Sequence, residues 1–118
     1  MPYITRMVGL VAVLDLEGEI DLYKSPDVRV ELGKIIAKKN KAVAINFEKV
    51  SYIDSSGLAT VIDAYQKTRI YGGKLVLIGL AKPVRSVFEV SRLDKFFSIF
   101  ENEAAALATF DGDGASKA

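Results

Sequence analysis

The apolar residues of this chain keep changing period, and the order of the changes leaves few folds open. In "LVAVLDLEG", Val11 and Val13 face one way while Leu10, Ala12, Leu14 and Leu16 face the other, the period of two that marks a strand. "YITRMV" before it reads as a partner strand, with Gly9 at the turn between them and Gly18 as the end of the second. "YKSPDVRVELGKIIAKKN" then spaces Val28, Leu32, Ile35 and Ile36 onto one face of a helix. Ser25 stands where an N-cap belongs, Pro26 suits the first helical position and Asp27 favours the positive helix start. Lys38, Lys39 and Lys41 gather at the negative end, with Asn40 as the stop.

"AVAINF" is nearly uncharged, as suits a strand covered on both faces. "GLATVIDAYQKTRIYGG" places Leu58, Val61, Ile62 and Tyr65 on one helical face and stops at Gly72–Gly73. "KLVLIGL" reads as a buried strand, and "KPVRSVFEVSRL" as a helix starting at Pro83 that buries Val84, Val87 and Phe88. "FFSIF" is expected as an edge strand and "ENEAAALATF" as a last helix.

The order predicts an α/β fold: a mixed β-sheet with a parallel interior, opened by an N-terminal antiparallel hairpin, with about four helices. At 118 residues the chain makes one domain, expected over residues 1–110. "DGDGASKA", residues 111–118, is expected as a polar, disordered tail.

Composition narrows the chemistry. Sixteen basic against fifteen acidic residues give a net charge of +1, too little basic field to grip nucleic acid. There is no cysteine and no histidine, so thiolate chemistry and a Ser-His-Asp triad are both excluded. The apolar run from Met7 to Leu14 is too short to span a bilayer, and Asp15 and Glu17 break the pattern directly after it. No membrane partner is therefore expected, and the cytoplasm is the default location.

In open α/β sheets function collects at the carboxyl ends of the strands, where loops lead into helices. "SYIDSSGL" is such a loop, joining two hydroxyls, a carboxylate and a glycine. A hydrolase nucleophile there lacks both the G-x-S-x-G frame and a histidine base, which leaves only a Ser-Lys pair, with no lysine in the loop itself, as a third reading. "YGGKL" lacks the P-loop's earlier glycine and precedes a strand, so it is no phosphate cradle. "DGDG" carries none of the later ligands of a calcium loop, and no metal or cofactor is expected. Helix capping accounts for one residue of the loop and contributes about 1 kcal/mol. Asp54, Ser55 and Ser56 all compete for that position. Gly57 serves either an unusual backbone angle or a close approach by another segment.

"VSYIDSSGLATVIDAY" resembles the signature of the STAS domain as found in bacterial anti-sigma factor antagonists. "LEGEIDLYKSPDVR" is similar to the family's segment leading into its first helix. "YGGKLVLIGLAKPVRSVFEVSRLDKFFSIF" is similar to its Gly-Gly strand, Pro-Val helix and Leu-x-x-x-Phe segment. The resemblance runs in order from about Tyr3 to about Phe110. One departure is Ala59, where family members commonly carry a glycine or another small residue.

The resemblance implies a STAS fold and a regulator of transcription rather than an enzyme. Its unphosphorylated form would bind an anti-sigma factor that is also a serine kinase of the GHKL type, freeing the sigma factor. Phosphorylation of a loop serine would reverse this, and a PP2C-type phosphatase would restore it. By motif the phosphoacceptor is Ser55, and Asp21, Asp54, Ser56, Gly57 and Leu58 are expected to contact the partner. Within the loop, Ser56 is the expected helix cap, which leaves Ser55 to the kinase. The alternative is a STAS binding module in another complex: a stress-signalling scaffold, or a transporter or lipid-trafficking subunit.

Overall fold

Gly9 has a φ of +61° and lets the chain reverse between its first two strands. The computed structural model describes residues 3–117, with side chains described over residues 3–110. The elements in chain order are β1 (Ile4–Val8), β2 (Val11–Ile20), α1 (Ser25–Ala37), β3 (Ala42–Ile53), α2 (Ser55–Ile70), β4 (Lys74–Ile78), α3 (Lys82–Val90), β5 (Ser98–Phe100) and α4 (Glu103–Lys117). The sheet order is β1-β2-β3-β4-β5; β1 and β2 are antiparallel, and the other pairs are parallel. The mixed sheet, its opening hairpin and the four helices are those expected from the sequence.

The strand order never reverses, and this decides the layers. Each crossover steps to the next neighbour in one direction, so its usual right-handed sense lays the connecting helices on one face. Val28, Leu32 and Ile35 of α1, Leu58, Val61 and Ala64 of α2, and Val84 and Phe88 of α3 form one core with Ala12, Leu14, Leu16, Ile45, Phe47 and Leu77. On the other face Val11, Val13, Ala44, Val76 and Ile78 meet Ala106, with Leu107 and Phe110 packed beside them. A sheet without a reversal also lacks the crevice where ligands enter doubly wound folds.

Several local expectations are corrected. Leu10 lies in the hairpin turn at 89% exposure rather than in β2. β2 does not end at Gly18: this glycine takes a φ of +78° inside the strand, which runs on to Ile20. β3 does not end at Phe47 but continues to Ile53. Two steps along β2, Asp15 to Glu17, match three along β3, Asn46 to Lys49; one step, Gly18 to Glu19, matches two, Val50 to Tyr52. Each mismatch is a bulge with one extra residue on β3. Burial therefore recurs at Phe47, Val50 and Ile53, a spacing of three that breaks the alternation of a flat strand.

Helix α1 is capped differently from the expectation too. Lys24 occupies the N-cap position and makes no side-chain cap bond, while Ser25 is buried and donates its hydroxyl to the Asp21 carbonyl at 2.7 Å. At the other end of the chain, backbone helix continues through 111–117, the segment expected as a disordered tail. Once a helix is nucleated, each added residue gains a bond. Ala118 lies outside the described residues.

One polar cluster has no counterpart in the sequence analysis. The Arg6 guanidinium donates to both carboxylate oxygens of Asp15, at 2.5 and 3.0 Å, and to both of Glu103, at 2.5 and 3.1 Å. Asn46 adds a bond to Asp15 at 2.9 Å. Hydrogen bonding from Arg6 holds the Asp15 and Glu103 carboxyls below the usual carboxylate range. The cluster ties the start of α4 to β1 and β2.

Candidate functional site

The ends of β2 and β3 lie side by side because the bulged ribbon carries them together past the end of β4. Ile20 pairs with Ile53, the last residue of each strand, and the Asp54 amide donates to the Ile20 carbonyl at 3.2 Å. The loop from β2 to α1 and the start of α2 therefore form one surface.

Asp54 organises it. Its backbone is extended, with φ −110° and ψ −172°, the conformation of a residue just outside a helix. Oδ1 accepts the amides of Ser56 at 2.8 Å and Gly57 at 3.1 Å, two donors that the first turn leaves without helical partners. Oδ2 accepts the Leu22 amide at 3.1 Å, across 32 positions of sequence. One carboxylate thus caps α2 and pins the neighbouring loop. Its negative charge also suits the positive helix end.

This overturns the expectation that Ser56 is the cap. Ser56 occupies the second helical position, so its amide is a recipient of capping and not the source. Its carbonyl accepts from the Thr60 hydroxyl at 3.0 Å. Thr60 in turn accepts from Arg29 at 3.0 Å, which fastens α1 to α2.

Ser55 begins α2, is exposed, and has its hydroxyl bonded to no other described residue. Gly57 is buried, and of its two readings the close approach holds. An added β-carbon would stand 2.7 Å from the Ile20 carbonyl oxygen and 2.7 Å from Ile53 Cγ1. Leu58, expected among the partner contacts, is only 8% exposed and belongs to the core. Its side chain faces the sheet as the helical spacing of Leu58, Val61 and Tyr65 requires.

Asp21 lies in the adjoining loop. Its Oδ1 accepts the amides of Tyr23 at 3.0 Å and Lys24 at 3.1 Å, and its carbonyl accepts the Ser25 amide at 2.8 Å. The carboxylate folds its own turn, a structural duty that sequence reasoning did not assign. Asp21, Asp54, Ser55 and Ser56 are thus brought to one surface, with Gly57 and Leu58 beneath it. Sequence reasoning missed Leu22 and Tyr23, which stand in the same loop at 66% and 83% exposure. The available signal was two large apolar residues in a turn between an aspartate and a helix start.

The chain is similar to known proteins in sequence and in fold. The model of the STAS domain family matches residues 4–106. The anti-sigma-B factor antagonist of Listeria monocytogenes is 34% identical over 82 residues, covering 70% of this chain and 72% of that protein. The anti-sigma F factor antagonist of Paenibacillus polymyxa is 26% identical over 102 residues, covering 86% and 87%. Among solved structures, the Bacillus cell fate determinant SpoIIAA in its phosphorylated form superposes with a TM-score of 0.73 at 24% identity, covering 92% of this chain and 98% of that one.

Proposed function

Because the chain belongs to the STAS-domain family of anti-sigma factor antagonists, we propose that it is a binding switch set by phosphorylation of Ser55. Unphosphorylated, it binds an anti-sigma factor that is also a GHKL-type serine kinase, and the sigma factor is freed. The kinase transfers the γ-phosphoryl group of ATP to the Ser55 hydroxyl, and binding ends. Hydrolysis by a PP2C-type phosphatase restores the neutral serine. The cycle is proposed to run in the cytoplasm; no described helix is long and apolar enough to cross a membrane.

The observation that carries the proposal is the state of Ser55. It is exposed, its hydroxyl is bonded to no other described residue, and Asp54 has taken over the capping that would otherwise occupy a serine. A kinase can therefore remove the hydroxyl proton without unmaking the fold.

The same geometry explains how a phosphate would end binding. It adds about −1.5 to −2 units of charge. The amides of Ser56 and Gly57 already belong to Asp54, so the phosphate meets a carboxylate at this helix end where two of the first donors are taken. Asp21 adds a further negative group in the loop that Asp54 holds. A partner shaped for the neutral loop would face concentrated negative charge, with no large change of shape needed.

Competition binding tests the cycle. The purified chain, added to each anti-sigma–sigma complex of the source organism, should displace sigma from one of them, and Ser55→Asp should displace it poorly. Equal displacement by both proteins would refute the switch.

A further inference from the structure

We infer that Leu22 and Tyr23 form an apolar anchor that seats in a socket of the anti-sigma factor, held in register with Ser55 by the Asp54 carboxylate. The inference rests on the function proposed above. Single exposed apolar residues are ordinary on protein surfaces and carry no meaning alone. Here two adjacent ones, at 66% and 83% exposure, stand on a backbone that is held at every step. The Leu22 amide donates to Asp54 Oδ2, the Tyr23 and Lys24 amides donate to Asp21 Oδ1, and Ser25 donates both its amide and its hydroxyl to the Asp21 carbonyl. These bonds fold the turn into α1, and they also hold the backbone of the two apolar residues in one conformation. A loop ordered before binding loses less entropy on docking.

The chemistry of the pair indicates what it meets. Tyrosine is enriched among the few residues that dominate binding energy, because its ring buries large area while its hydroxyl keeps a polar contact. Glu19 and Asp27, both exposed, lie on either side of the pair in sequence and outnumber the adjacent exposed cation Lys24, while Asp21 and Asp54 support the pair. The fitting socket is apolar at its floor and cationic at its rim. The anchor is also continuous with the switch, since the Asp54 carboxylate touches both the Leu22 amide and the first turn after Ser55. A phosphate on Ser55 would place its charge beside the group that holds the anchor.

The test is isothermal titration of the purified chain into each GHKL-type anti-sigma factor of the source organism, with ADP bound so that Ser55 is not phosphorylated during the measurement. Leu22→Ala combined with Tyr23→Ala should weaken binding at least tenfold, undiminished at high salt, with an unchanged thermal midpoint because both side chains are exposed. Tyr23→Phe should stay within about threefold, as most of the ring area remains. In the free protein, Asp54→Asn should speed amide hydrogen exchange at Leu22, where an acceptor oxygen is replaced by a donor. If the double variant binds within twofold of the unaltered chain while Ser55→Asp binds weakly, the anchor is wrong and the switch stands. If none of these anti-sigma factors binds the unaltered chain, the functional reading falls and the anchor with it.

Discussion

Gly57 lies so close to Ile20 that a β-carbon on it would stand 2.7 Å from the Ile20 carbonyl oxygen. Any side chain there would lift the start of α2 from the end of β2. In a helix interior alanine normally gains about 1 kcal/mol over glycine. Here the sign should invert. Gly57→Ala should lose roughly 1–3 kcal/mol through overpacking, seen as a lower midpoint in urea at an unchanged slope. A neutral or stabilising result would mean that the start of α2 separates readily from the end of β2.

The division of labour in the loop predicts a contrast between neighbours. Asp54→Ala removes the acceptor for two helix amides and for Leu22, and should cost on the order of 1–2 kcal/mol. Ser56→Ala removes only a half-buried hydroxyl and should stay within about 0.5 kcal/mol, as surface substitutions do. Denaturant unfolding of the two variants side by side decides which residue is the cap.

The Arg6 cluster predicts a pH dependence. Its bonds hold the Asp15 and Glu103 carboxyls below their usual range in the folded chain. Groups depressed on folding contribute stability that is fully present above their unfolded pKa values, about 4, and lost as pH falls through the folded ones. The thermal midpoint should therefore drop as pH is lowered from about 5 towards 2, and Arg6→Gln should flatten that drop. Parallel profiles for the two proteins would show that other carboxylates govern acid unfolding.

Most of the element order was legible because each segment keeps one period long enough to be read. What escaped depended on contacts between segments. The second half of β3 was lost because its bulges bury Phe47, Val50 and Ile53 at intervals of three, which matches neither a strand nor a helix. Gly18 looked like a strand end, because nothing in the sequence distinguishes a left-handed residue inside a strand from one in a turn. Leu58 was placed both on the apolar face of α2 and among the partner contacts, and only burial decides between these. Arg6, Asp15, Asn46 and Glu103 meet only after the sheet and α4 assemble, so no local pattern announces them. At the site, the position of Ser55 was visible. The double role of Asp54 was not, since its second oxygen bonds an amide 32 residues away.

Ser55, and not Ser56, is the serine proposed to receive the phosphate. The most direct measurement incubates the chain with its cognate anti-sigma factor kinase and ATP, and locates the label by mass spectrometry of peptides spanning the loop. A single phosphate on Ser55 is predicted, with no label on Ser55→Ala, full label on Ser56→Ala, and partner binding retained by Ser55→Ala. Full labelling of Ser55→Ala, with loss of the label in Ser56→Ala, would contradict the account.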